Sequence, residues 1–235
     1  VRALKSHGGG PAVKPGAKLD EAYTKENVAL VEAGCANLRA HIETVVKSGV
    51  TPVVCLNAFY TDTVAEQAVV RRVAEETGAL FAVSKHWEKG GEGAIELAEA
   101  VVEASSVPPN FKFLYSLDEP IEQRIEKIAK EVYGADGVEY SDVAAAKLKV
   151  IESDPATSSM PICMAKTQYS LSHDPELKGK PNGWTLPVKD FLTYSGAGFV
   201  VPVAGDIKLM PGTASDPAYR RIDVETATGK VKGLY

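Results

Sequence analysis

Apolar and polar residues alternate along this chain in more than one rhythm, and each rhythm predicts a different element. Val28, Val31, Cys35, Leu38, Ile42 and Val45 repeat at spacings of three and four, the stripe of one long helix. Thr24 is placed to cap its start, with Glu26 and Asn27 in the first turn, and Gly49 to stop it. The stripe runs for about three heptads, enough for a coiled coil; with no second such stripe, a helix packed on a sheet is the reading preferred. Then the period changes. TPVVCLNA (51–58), ALFAVS (79–84) and FKFLYS (111–116) are near-continuous apolar runs that predict strands. TDTVAEQAVVRRVAEETG (61–78) and GEGAIELAEAVVEAS (91–105) between them predict helices.

Strands of this kind separated by helices of this length predict an α/β fold: a Rossmann-like parallel sheet with helices on both faces. Right-handed crossovers then bring the loops after successive strands out on one edge. A helix over 120–133 with Pro120 in its first turn and Gly134 at its end follows, and another over 141–153. Beyond it the pattern is looser. PICMA (161–165), WTLPV (184–188), GFVVPVAG (198–205) and VKGLY (231–235) predict short strands of a second, smaller α/β domain. The expected division is 1–136 and 137–235, with residues 8–22, rich in Gly and Pro, as a surface loop.

Composition narrows the function classes. With 235 residues, 45% hydrophobic and 24% charged, the chain has ample material for a core. A net charge of −5 and no basic stretch interleaved with aromatics argue against nucleic acid as partner. No apolar run has the length of a membrane span. Cys35, Cys55 and Cys163 are far apart, with no CxxC and no histidine at ligand spacing, so neither a disulfide framework nor a metal site is expected. That usage fits a reducing, cytoplasmic compartment, with Cys35 and Cys55 as buried thiols. The start, VRALKSHGGG, has no initiator Met and no signal-peptide pattern; it reads as a strand end and a glycine loop, and the chain is expected to be a fragment.

Three aromatics stand out. Phe59 and Tyr60 follow the strand ending at Asn57, and Trp87 follows the strand ending at Ser84, where turns favour small polar residues. In an open parallel sheet ligands bind beyond the carboxyl ends of the strands. Adjacent strands are about 4.8 Å apart and alternate ones about 10 Å. A flat ring held between two others needs them roughly 7–8 Å apart, at ~3.5–4.0 Å contacts. Phe59 and Trp87 either form such a clamp or seal the end of a core. Gly90, Gly91 and Gly93 let the backbone come close to a ligand or neighbouring loop. A phosphate cradle there lacks both GxxxxGK[ST] and GxGxxG, and Glu92 opposes an anion. His86 is a candidate base, His7 and His173 read as surface residues, and Thr61, Asp62 and Thr63 as the cap of the next helix.

VRALKSHGGGP, NAFYTDT, HWEKGGEGA, YGADGVEY, PICMAKTQYSLS, SGAGFVVPVAGDIKLMPG and the final VKGLY together resemble formate–tetrahydrofolate ligase, also called formyltetrahydrofolate synthetase. The resemblance runs the whole chain and implies the C-terminal part of proteins more than twice as long. It implies the reaction formate + ATP + tetrahydrofolate → 10-formyltetrahydrofolate + ADP + phosphate through formyl phosphate, with N10 of the folate attacking. Tetrahydrofolate, formate and ATP with Mg are then substrates, and no group is bound covalently. The ATP-binding loop would lie in the missing N-terminal part, leaving no catalytic residue in this chain and no activity on its own. The first ~20 residues would be a remnant of that part, with apolar surface exposed where it packed.

By the same resemblance Phe59 and Trp87 sandwich the pterin, and Val83 lines the pocket. Tyr60 stands where bacterial members often have Pro, and MPGTASDP (210–217) replaces the family's MPGLP. The complete protein is expected to be a homo-oligomer. Alternatives are a non-catalytic folate-binding or scaffold module, and a nucleotide- or flavin-binding α/β protein.

Overall fold

The computed structural model describes residues 1–13, 16–207 and 216–233. A short helix α1 (Arg2–His7) opens the chain, then α2 (Glu21–Thr24) and the long α3 (Val28–Lys47). Strand β1 (Val53–Asn57), α4 (Val64–Glu76), β2 (Leu80–Ser84), α5 (His86–Lys89), a 3-10 turn over Gly90–Ala94 and α6 (Ile95–Ser106) follow. Helix α7 (Ile121–Lys127) continues as π-type turns over Ile128–Tyr133. Next come β3 (Gly137–Tyr140), α8 (Asp142–Ser153), α9 (Pro155–Ser158), β4 (Thr185–Tyr194) and β5 (Phe199–Ala204). A hairpin, β6 (Asp223–Glu225) and β7 (Lys230–Lys232), ends the described chain.

The expected βα order is present, with β1 and β2 parallel in register from Val53↔Leu80 to Asn57↔Ser84. Side chains alternate across a strand. Val54, Leu56, Phe81 and Val83 therefore share a face, and that face joins Val31, Cys35 and Ile42 of α3 and Val70, Val73 and Ala74 of α4 in one core. Helix α6 also touches both strands, chiefly β2, and none of its residues is buried. A second core gathers Ile121, Ile125, Leu148, Ile151, Trp184, Leu186, Phe191 and Val200 around the sheet β3-β4-β5, parallel then antiparallel. Helix α7 belongs to this second core, although a division at 136 assigns it to the first half.

Several sequence expectations are corrected. Residues 111–116 form no strand: Asn110 and Lys112 donate to the carbonyls of Gly49 and Ser48, and the apolar run has no strand beside it. Residues 161–165 shrink to single bridges, Ile162↔Val200 and Ala165↔Val203. The start is a helix, not a strand end, because Leu4 packs into the first core and Lys5 is drawn inside by a carboxylate. Asn27 rather than Thr24 caps α3, its side-chain oxygen accepting from Leu30 N–H. Cys55 is exposed; Cys35 is buried. The apolar surface expected near residues 1–20 lies mainly elsewhere, on α6 and residues 107–117. Most of the 210–217 loop, and the last two residues of the predicted 231–235 strand, lie outside the described residues.

Candidate functional site

The loop after β1 is a closed turn. Ala58 N–H donates to the Ser84 carbonyl, tying the ends of β1 and β2 together. Phe59 N–H donates to Asp62 Oδ2 at 2.9 Å while Asp62 N–H donates back to the Phe59 carbonyl. Thr63 then caps α4 in a capping box with Glu66. This is the cap read from Thr61–Thr63, with Asp62 holding the turn instead.

Glu66 does more than cap. Its Oε2 accepts from Thr63 N–H, and its Oε1 accepts from Asn27 N–H and pairs with Lys5 Nζ at 2.6 Å, both side chains shielded from solvent. Burial alone would raise its pKa, but the hydrogen bonds from Lys5, Asn27 and Thr63 outweigh it and hold the carboxyl below its ordinary value. One carboxylate thus locks α1 against the start of α4. Arg2, one turn earlier on α1, is carried to the Phe59 ring, with Cζ 5.4 Å from its centroid.

The loop after β2 is closed as well. Lys85 N–H donates to the Gly93 carbonyl at 2.8 Å, and a Cβ on Gly93 would lie 2.4 Å from the Lys85 oxygen, so only glycine fits. Gly90 has φ +59° and closes α5. Trp87 therefore rides on a single helical turn and is 83% exposed.

Both loops open onto one cleft of about 640 Å³ lined by Arg2, Phe59, Tyr60, Asp62, Gln67, Lys85, Trp87 and Glu88 together with Ala58. Phe59 is 40% exposed, and neither it nor Trp87 stacks on another aromatic among the described residues. Tyr60 lines the mouth and is 99% exposed. Val83 is not in this cleft. It lines an adjoining one of about 380 Å³ with Gly93, Lys89, Glu92 and Glu96, because its side chain follows the core face of β2. Gly90 and Gly91 line neither. His86 Nδ1 lies 2.8 Å from Ser84 Oγ and does not line the cleft. His7 and His173 are half-buried rather than surface residues. Among the described residues no group of three or more His, Cys, Asp or Glu is placed to hold a metal ion, and no helix is long and apolar enough to cross a membrane.

Arg2, Gln67, Lys85 and Glu88 were missed in the sequence, since charged and amide side chains on separate elements carry no local mark of a shared cleft. The chemistry is clear enough: flat apolar walls, a cation on one ring, and Asp62, Gln67 and Lys85 as hydrogen-bonding edges.

Fold and cleft define an α/β protein with a ligand-sized, aromatic-walled site at the carboxyl ends of parallel strands. A family model described as formate–tetrahydrofolate ligase matches residues 1–235, and the chain belongs to that family. It is 62% identical over 235 residues to a formate–tetrahydrofolate ligase of Dehalococcoides mccartyi, covering 100% of this chain and 39% of that protein. The corresponding protein of Desulfotalea psychrophila is 60% identical, with 42% of its length covered, and that of Lawsonia intracellularis 57%, with 40% covered. The chain spans about two fifths of the length of these curated relatives. That share is a fraction of length alone, and the C-terminal placement expected from the sequence is not carried by it.

Proposed function

We propose that this chain supplies the tetrahydrofolate-binding side of a formate–tetrahydrofolate ligase, with the pterin lying in the cleft between Phe59 and Trp87. The observation that supports it most is the shared cleft: two large aromatics from loops after neighbouring parallel strands line one opening and stay exposed. A core-sealing role would have buried both. A fused heterocycle presents two flat faces to such walls and a rim of donors and acceptors to Asp62, Gln67 and Lys85. Each aromatic contact contributes about 0.5–1.5 kcal/mol beyond the area it covers. Arg2 lies against the Phe59 ring, so Arg2 either backs the ring away from the ligand or is displaced as the ligand enters.

In this reading the chain's residues bind and orient. Holding the bicycle fixes where N10 sits, which is the positioning part of the catalysis; formate and ATP with Mg are bound by parts of the enzyme beyond these residues. The chain alone is then a binding half.

Calorimetric titration with tetrahydrofolate, ATP and FMN tests this. Heat is expected with tetrahydrofolate alone, and Phe59→Ala or Trp87→Ala is expected to weaken it by roughly one to a few kcal/mol. Formate, ATP and tetrahydrofolate added together are expected to yield no ADP. Unchanged folate affinity in both variants removes the clamp, and heat with FMN or ATP instead turns the reading to a nucleotide site.

A further inference from the structure

A second cleft, of about 280 Å³, lies where the two cores meet. It is bounded by the end of α1, the middle of α3, the π-type turns and residues 164–171. His7, Asn37, His41, Tyr133, Lys166 and Gln168 are among its lining residues, and no Asp or Glu is. Clefts at such junctions are common ligand sites.

Its donors are set by bonds already made. The Gly179 N–H donates to His7 Nδ1 at 3.1 Å, which leaves the neutral imidazole its proton on Nε2. Asn37 Nδ2 donates to the Gly179 carbonyl, so the same residue braces α1 and α3. Lys166 Nζ donates to the carbonyls of Thr167 and Ser170 and lies 4.8 Å from the Tyr133 ring centroid. An ammonium has a third N–H, and no carboxylate pairs with this one among the described residues. Burial lowers the Lys166 ammonium to about 8 with no carboxylate to offset it. His7 is held below its ordinary value by burial and then by Lys178 and His41. Every charged neighbour in this group is positive. A half-buried ammonium without a counter-charge is costly, and proteins seldom leave one so.

We propose that this cleft binds an oxyanion, the carboxylate or phosphate group of a small ligand, with Lys166 as the charged donor and His7 and His41 flanking it. The chain's histidines provide the test, because there are four: His7 and His41 line this cleft, and His86 and His173 do not. Their imidazole proton resonances are followed while inorganic phosphate or acetate replaces chloride at fixed ionic strength. Saturable shifts at His7 and His41, with His86 and His173 still, are expected. Saturation by phosphate alone, by acetate alone or by both supports the site and names the group. Equal or linear drift at all four overturns it.

Lys166→Met is expected to raise the midpoint roughly tenfold or more, the loss of one charge-assisted hydrogen bond. An unaltered curve in that variant also overturns the proposal. If Lys166→Met loses its dispersed spectrum, Lys166→Arg, which keeps the charge, is expected to keep saturation. Loss of saturation in a folded Lys166→Arg overturns the assignment of Lys166 as the donor. The comparison of four histidines in the unmodified chain needs no variant.

Discussion

Glu66 is the residue on which the first cleft rests, since its carboxylate is bonded to α1, to the start of α3 and to the turn that carries Phe59. Removing one partner of a buried ion pair strands the other. Glu66→Gln or Lys5→Met is therefore expected to cost about 3–5 kcal/mol in urea denaturation, far above an exposed pair such as Lys25–Glu21. The sign with pH follows from the depressed folded pKa of Glu66. Its contribution is present above the unfolded carboxyl value and is lost as pH falls through the folded one. The unmodified chain should thus lose more stability on acidification than Glu66→Gln does; parallel curves would contradict this. Phe59 and Trp87 were legible in the sequence because bulky aromatics sat where turns favour small polar residues. Arg2 was not, because its place on the Phe59 ring depends on the Lys5–Glu66 pair, a contact between distant parts of the chain.

Among the elements, α1 is positioned by a close backbone approach. A Cβ on Gly34 of α3 would lie 1.9 Å from the Leu4 carbonyl oxygen of α1, and backbone cannot yield as a side-chain tip does. Gly34→Ala must push α1 away and carry Arg2 off the Phe59 ring. Overpacking of this kind costs about 1–3 kcal/mol or more. A lower melting temperature together with weakened tetrahydrofolate binding is expected, and a stable variant with unchanged binding would show that α1 does not set the cleft. The stripe of α3 was readable because its middle, Val31, Cys35 and Ile42, faces the core. The strands β1 and β2 were readable for the same reason. The run at 111–116 misled because hydrophobicity marks a residue that wants cover, while a strand also needs a neighbouring backbone. Phe113 is 84% exposed where that cover would lie.

At the scale of the molecule, the same flank is unusual. No residue of α6 is buried, and Ile95, Val101, Val102, Val107, Phe111 and Phe113 are all exposed. A parallel sheet of two strands is also short of what stands alone. The curated relatives are about two and a half times as long as this chain. In isolation the flank should bind an apolar dye such as ANS and promote association that grows with concentration in sedimentation velocity. A strictly monomeric, dye-silent chain would show that the exposed side chains cover one another in solution. The α/β class could be read from period and order alone. The apolar surface expected near the first residues lies on α6 and residues 107–117 instead, since exposure depends on what the folded chain places over a side chain and not on position along the sequence.

The most direct measurement is a crystal structure of this chain, or of a longer relative carrying these residues, with tetrahydrofolate bound. The pteridine is expected between the rings of Phe59 and Trp87, its faces within about 3.5–4.0 Å of each, and its rim toward Asp62, Gln67 and Lys85. Folate density elsewhere, with both rings left bare, would contradict the central claim.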